Sequence, residues 1–226
     1  MPPLTIVYIV RHGETEENLK MIMQGHLDTQ LNETGKEQAK LVADALREVA
    51  FDKAYSSDLS RARETAKAIL AHHPSIQLVE DKALRERHLG DLQGKPVGTR
   101  YTPNDPLLES HEKLGQRALA WWDQHIVTPT KSQDSGAKPT IVLLVSHGGF
   151  IGTLIKTLTN NGRASMAPGV TTDKRALNAS ITTVEVERAA DGKIRGLVTR
   201  YADTAHLDKA EGVEVLQSNA DELARD

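Results

Sequence analysis

The sequence predicts a three-layer α/β/α sandwich around a mainly parallel central sheet, and three observations carry that expectation. Two runs, Leu4–Val10 and Thr140–Val145, are β-branched and almost wholly apolar, as strands buried on both faces are. Helical and strand-like patterns alternate along the chain, the order that lays helices over a parallel sheet. The 226 residues, 38% of them hydrophobic, suffice for a full core and fit one domain more easily than two. The domain is expected over 1–207, followed by an acidic tail over 208–226 without strong pattern that is expected to fray.

The elements follow in order. After Leu4–Val10, Thr34-Gly35-Lys36-Glu37 matches a capping box ahead of Ala39, Val42, Ala43, Ala45 and Leu46, which predicts a helix over about Thr34–Val49. Lys53–Ser56 reads as a short strand, Ser60 to His72 as a helix stopped by Pro74, and Ile76–Val79 as another strand. Gly90 to Asn104 is rich in Gly and Pro and reads as loop. Glu109–Ile126 has helical spacing through Leu114, Ala118, Trp121 and Trp122, with the tryptophans read as core and surface neighbours. Thr128–Pro139 is polar with two prolines and is expected to be a surface loop before Thr140–Val145. Gly149–Thr159 reads as a helix. Ser180–Glu187 and Lys193–Tyr201, joined by Ala189-Ala190-Asp191-Gly192, read as a hairpin.

Composition narrows the function. A net charge of −3 gives no reason to expect nucleic acid or a membrane as partner, so any anion site must be a local concentration of positive charge. The chain has no cysteine, which excludes disulfides, thiolate metal sites and a Cys nucleophile. Met1-Pro2-Pro3 runs into Leu4–Val10 with no basic n-region or cleavage site, and no apolar run approaches a membrane span. A cytoplasmic protein is the expectation.

Two strand ends carry the same signal. Leu4–Val10 ends in Arg11-His12-Gly13-Glu14-Thr15, and Thr140–Val145 ends in Ser146-His147-Gly148-Gly149. Active sites of parallel sheets gather at such C-terminal ends. Either histidine alone is more simply a turn residue beside a turn glycine; together they form a candidate pair. A neutral imidazole can attack phosphorus, and a phosphohistidine divides one hard displacement into two easier ones. The transferring phosphoryl group needs fixed cations and donors around its oxygens. Arg11 adjoins His12, and Arg61 and Arg63 open the helix after Lys53–Ser56, Arg63 being better read as part of a solvated face. Leu84-Arg85-Glu86-Arg87-His88-Leu89-Gly90 supplies one carboxylate among cations. Glu86 could serve as acid and then base, although such a triplet also fits a surface ion-pair cluster.

These segments resemble the histidine phosphatase superfamily in its phosphoglycerate-mutase-like branch. The resemblance rests on Arg11–Thr15 with Asn18; on Gln24-Gly25 and Leu31–Gly35; and on Ser56–Ala66. It continues through Leu84-Arg85-Glu86 with Gly90 and Gly94, Val145–Gly149, and Asn178–Ile181, in order over roughly residues 4–207. It implies a phosphoglycerate-mutase-like sandwich and a metal-free enzyme without cofactor. By the same resemblance His12 is the phosphorylated nucleophile and Glu86 the proton donor. Arg11, Arg61 and His147 hold the phosphoryl oxygens, His147 as an imidazolium or a suitably oriented tautomer. Asn18, Gln24, Gly25 and Gly148 line the substrate.

The same box can return phosphate to a second substrate hydroxyl or give it to water. The mutases carry an insertion rich in basic and aromatic residues before the second histidine and usually a tyrosine at the position of Leu89. This chain has few basic residues there before Lys113 and Arg117, and Tyr201–Leu207 is reminiscent of the sugar-bisphosphatase-like members. The resemblance therefore implies a phosphoric monoester hydrolase acting on a small phosphorylated metabolite. A mutase-type phosphotransferase is the first alternative and a catalytically silent phospholigand-binding protein the second. Selectivity is expected in Gly94–Ser110, the least patterned segment. A serine hydrolase is rejected, since His147-Gly148-Gly149-Phe150 has no Gly-x-Ser-x-Gly elbow to accompany it. Neither the substrate nor the oligomeric state is legible.

Overall fold

A computed structural model describes residues 2–100, 105–134 and 138–208. Strand β1 (Thr5–Arg11) leads into a one-turn helix, α1 (Glu16–Leu19), capped by Thr15. Helix α2 (Glu33–Ala45) begins from Asn32 rather than from a Thr34 capping box. The Asn32 side chain accepts the Gly35 N–H at 2.8 Å while its amide donates to Glu14 at 2.8 Å, and Asn is the stronger cap. The helix stops at Ala45, short of Val49, because the chain tightens there: Val49 N–H donates to Leu46 at 3.0 Å and delivers Phe51 to the core.

Strand β2 (Lys53–Ser56), helix α3 (Ser60–Leu70) and strand β3 (Leu78–Glu80) follow. Helix α4 (His111–Trp122) continues through a π-helical stretch, Asp123–Val127, into α5 (Thr128–Lys131). This corrects the expected surface loop at Thr128. Pro129 stands in the first turn of α5, directly after the π-helical stretch. Thr130 is buried, donating to the Ile126 carbonyl at 2.6 Å and bonded to the Thr5 hydroxyl at 2.7 Å. Strand β4 (Thr140–Ser146) and helix α6 (Gly148–Asn160) come next. A short strand that the sequence pattern did not suggest, β5 (Ala164–Met166), precedes the hairpin of β6 (Ile181–Arg188) and β7 (Ile194–Asp203).

The seven strands form one sheet in the order β3-β2-β4-β1-β6-β7-β5. The four strands β3, β2, β4 and β1 are mutually parallel, and β6 turns the sheet antiparallel at β1. Alternate residues of the central strands face opposite layers. Val7, Ile9, Val142 and Leu144 pack with Leu114, Trp121, Phe150 and Leu154 of α4 and α6. Val10, Leu143 and Val145 pack with Val42, Ala62, Ala66 and Ile69 of α2 and α3. Burying each large aliphatic side chain contributes about 1.5–3 kcal/mol, so the two central strands are the best-anchored part of the molecule. The layers are those of the expected α/β/α sandwich. No helix among the described residues is long and apolar enough to cross a membrane. The tail expected to fray lies outside the described residues from 209 on.

Candidate active site

Strands β1 and β4 pair in parallel with Arg11 opposite Ser146, so the residues that follow, His12 and His147, emerge side by side. His12 N–H donates to the Ser146 carbonyl at 3.0 Å, and the two imidazole centroids lie 5.1 Å apart. Strand β2 borders β4 on the other side, and Ser57 N–H extends that ladder to the Val145 carbonyl at 3.0 Å. Three adjacent strand ends thus supply His12, His147 and Ser57, and α3 starts just beyond with Arg61 in its first turn.

The His12 Nδ1–H donates to the Gly13 carbonyl at 2.7 Å, which leaves Nε2 with the free lone pair. Burial, and then the Arg61 and Arg11 guanidinium charges, hold its pKa well below the ordinary histidine value, so the ring is neutral at pH 7. His147 is lowered in the same direction by burial, Arg61, His12, Arg11 and His26. Of the two forms expected for His147, the neutral tautomer is therefore the one the free protein holds. Its Nε2 lies 2.9 Å from the Ser57 hydroxyl. Its Nδ1 is buried with no hydrogen-bond partner among the described residues.

Arg11, His12, Arg61, Glu86 and His147 are each no more than 1% exposed. Buried guanidiniums are costly unless their donors are used. Arg61 donates to the carbonyls of Leu27 at 2.7 Å and Gly25 at 2.9 Å, and Arg11 to the Ala176 carbonyl at 2.9 Å. Two fixed cations beside two neutral imidazoles concentrate positive charge of the kind that suits a dianion. Arg63 instead bonds Ser60 at 2.9 Å and the Asp58 carbonyl on the helix surface.

The four other expected residues sit around this centre in unequal roles. Gly148 is the buried first residue of α6. The Asn18 amide oxygen accepts from Thr15 N–H at 3.1 Å and from the Asn178 amide at 3.2 Å, while Asn178 also donates to the His12 carbonyl at 3.0 Å. Gln24 accepts the Thr29 hydroxyl at 2.5 Å, and Thr29 in turn receives Arg61 at 3.3 Å. Gly25 has φ +51, and a Cβ there would lie 2.5 Å from Gln93 Oε1. Gln24 and Gly25 thereby act on the placement of Arg61.

Glu86 stands on irregular chain but is firmly held. Its two carboxylate oxygens accept the backbone N–H groups of Arg87 and Gly149, both at 2.8 Å. Its own carbonyl receives His26 Nε2 at 2.8 Å and Arg117 at 3.2 Å. Arg117 also donates to the carbonyls of Ala83 at 2.8 Å and Arg85 at 2.9 Å, and forks onto Glu109 at 2.7 and 2.9 Å. Burial lowers the pKa of His26 to about 4, consistent with a neutral ring donating through Nε2. Sequence reasoning missed His26, Ser57 and Arg117. It also missed Asp28, whose carboxylate accepts Ser60 N–H at 2.6 Å and so caps α3 from a distant loop. None of the four belongs to a spacing that announces a partner. Among the described residues no group of three or more His, Asp or Glu side chains is placed to hold a metal ion.

Paired histidines at parallel strand ends, with two buried arginines beside them, define the class. The chain belongs to the histidine phosphatase superfamily, branch 1, whose family model matches residues 7–194. A probable phosphatase of Schizosaccharomyces pombe is 34% identical over 217 residues, covering 91% of this chain and 96% of the relative. A phosphoglycerate mutase from Bacillus anthracis has a similar structure, with TM-score 0.71 and 27% identity, covering 91% of this chain and 96% of that one. A mycobacterial glucosyl-3-phosphoglycerate phosphatase is similar at TM-score 0.68 and 27% identity, covering 88% and 99% respectively. The fold is the phosphoglycerate-mutase-like sandwich.

Proposed function

We propose that the protein is a metal-independent phosphomonoesterase working through a phosphohistidine on a small phosphorylated metabolite. The observation that carries this reading is the His12 clamp: Nδ1–H is tied to Gly13 and the ring is kept neutral, so Nε2 is a standing nucleophile. In the first step Nε2 attacks phosphorus as the ester P–O bond breaks. The departing alkoxide takes the proton of the Glu86 carboxylic acid. In the second, water attacks phosphorus as the P–N bond breaks, and Glu86 takes back the water's proton. Arg11 and Arg61 stabilise the equatorial oxygens throughout. With the Ser57 hydroxyl donating into His147 Nε2, the proton of that neutral ring sits on Nδ1, which has no other hydrogen-bond partner among the described residues and serves as donor to a phosphoryl oxygen.

Water rather than a second substrate hydroxyl is the favoured acceptor. Arg117, a basic residue in the interval where the mutases carry their basic insertion, is engaged by three backbone carbonyls and Glu109. The name of the Bacillus anthracis neighbour keeps mutase transfer as the second reading.

The test is release of inorganic phosphate from p-nitrophenyl phosphate without added metal, with and without chelator. Undiminished rates with chelator are expected. His12→Ala should lower kcat by about 10⁴-fold or more, as loss of a nucleophile does. Activity that persists in that variant sinks the proposed nucleophile, and activity lost to chelator sinks the metal-free chemistry. Following a phosphoglycerate by phosphorus NMR separates hydrolysis from transfer, since a mutase yields an isomeric ester in place of free phosphate.

A further inference from the structure

The β1–β4 ladder places the His12 backbone but does not decide which ring nitrogen carries the proton. That choice falls to the peptide joining Gly13 and Glu14, whose carbonyl accepts the Nδ1–H at 2.7 Å. Were this peptide turned over, its N–H would face Nδ1. Nδ1 would then have to accept, the proton would sit on Nε2, and the lone pair that attacks phosphorus would be gone. Glycine at 13 puts little steric restraint on such a turn. The orientation has to be held from outside the loop.

Three consecutive peptides run from His12 to Thr15, and each is held at both ends. The first gives its carbonyl to the Ala179 N–H at 3.2 Å and its N–H to the Thr65 hydroxyl at 3.0 Å. The third gives its carbonyl to the Asn32 N–H at 3.0 Å and its N–H to Asn18 Oδ1 at 3.1 Å. The second, the one that faces the ring, donates its N–H to Gln38 Oε1 at 2.9 Å. Gln38 reaches it from α2 and is fully buried. A backbone N–H can only donate, so the amide must present its oxygen, which leaves Nε2 without a hydrogen-bond partner among the described residues. An apolar residue would fill the same space without that unmet donor, so the bond to the Glu14 N–H is what the glutamine contributes. The helix also comes close here: a Cβ on Gly13 would meet the Gly35 carbonyl, and one on Gly35 the Glu14 backbone.

We propose that Gln38 is a positioning residue for the nucleophile. It keeps the Gly13 carbonyl turned to Nδ1 and thereby keeps Nε2 unprotonated. Its catalytic consequence rests on the reading of His12 as nucleophile, whereas its hold on the ring is a property of the free protein.

Nitrogen-15 NMR of the imidazole rings, with His12→Gln to assign the signals, reads the tautomer, and kcat/KM for p-nitrophenyl phosphate reads its consequence. The wild-type His12 ring should be protonated at Nδ1. Gln38→Met keeps the length but removes the oxygen; it should bring in the Nε2–H form and lower kcat/KM about tenfold. Gln38→Glu returns an oxygen to the Glu14 N–H and should restore the wild-type tautomer and most of kcat/KM. Val42→Ala, one turn further along the same buried face of α2, should lower the melting midpoint and leave the tautomer in place. A tautomer that does not move in Gln38→Met, or that moves as far in Val42→Ala, overturns the proposal, as does Gln38→Glu behaving like Gln38→Met. Gln38→Leu replaces Gln38→Met if the latter does not fold, and a wild-type ring protonated at Nε2 overturns the proposal without any variant. If the wild type does not hydrolyse p-nitrophenyl phosphate but the tautomer follows residue 38, the phosphatase reading falls and the hold of Gln38 on the ring stands. If hydrolysis requires His12 but the tautomer ignores residue 38, the reverse holds.

Discussion

His12 and His147 take their positions from a hydrogen-bonded ladder, whereas Glu86 takes its position from single hydrogen bonds that arrive from three other segments. The first half of the site is set by the register of β1 against β4, at the centre of the sheet and under both layers of core. Shifting it would mean shifting seven paired residues. The second half hangs on irregular chain held by His26, Arg117 and the Gly149 N–H. In the mechanism proposed above, two structural strategies therefore meet across one phosphoryl group. The proposed nucleophile is placed by backbone, and the proposed acid by a handful of individual bonds. Substitutions away from the reacting atoms should accordingly disturb the acid half far more readily.

The sharpest such disturbance is Gly149→Ala. A Cβ at this position would stand 2.5 Å from Glu86 Oε1, so the carboxylate must move or lose its bond to the 149 N–H. We expect kcat to fall about 100-fold, the scale for misplacing a catalytic group by an ångström. The fall should be largest for esters of poorly leaving alcohols, which need the proton, and smallest for p-nitrophenyl phosphate, whose leaving group does not. An equal fall for both ester types would show that the damage lies in the nucleophile half and would break the contrast drawn above.

Arg117→Met comes next, with an expected loss of roughly tenfold in kcat for the same esters and little change in KM. Arg117 and Glu109 form a forked pair with side chains 22% and 15% exposed, so removing one partner should also lower stability by on the order of 3 kcal/mol. Arg117→Lys retains the charge but cannot fork onto Glu109 while reaching three carbonyls, and should recover only part of kcat. A shifted limb in the pH–rate profile would tie the loss to the acid, because a purely structural role would lower activity at every pH alike. Unaltered kcat and profile in Arg117→Met would remove Arg117 from the account.

The same contrast explains what was legible in the sequence. The parallel strands, the paired histidines at their ends and the helix opening with Arg61 are local patterns, and each stands where the sequence placed it. Apart from the family resemblance, which implied a proton donor, Glu86 was legible as a carboxylate among cations, because what makes it a buried and held group is Arg117, 31 residues away, and His26, 60 residues away. Neither partner sits in a pattern of its own. Asn32 in place of Thr34 as the cap of α2 has the same cause: the deciding bond runs to Glu14, across the turn from β1. The helical turn at Thr128–Lys131 was hidden by Pro129, which reads as a breaker unless the preceding helix is known to continue. Long-range side-chain bonds decide these cases, and one-dimensional spacing does not record them.

The smallest expected effect is on stability with pH, and it separates the halves by histidine. Burial lowers the folded-state pKa of His12 and His147 in the nucleophile half, and brings that of His26 in the acid half to about 4. Unfolded, all three titrate at about 6.5, so below that value the unfolded chain binds protons that the folded chain refuses. Stability from these rings is thus complete above about pH 6.5 and is lost progressively as pH falls towards the folded values. The unfolding midpoint should drop on the order of 5 °C between pH 7.5 and 5. For His26 the window is bounded near pH 4, and because that ring is partly exposed its share should be the lesser one. The His12→Gln/His147→Gln double variant should therefore flatten most of the slope and His26→Gln only a fraction. A wild-type midpoint that stays level or rises towards pH 5 would contradict neutral imidazoles in both halves. A slope abolished by His26→Gln alone would instead make the Glu86 half the more strongly desolvated of the two.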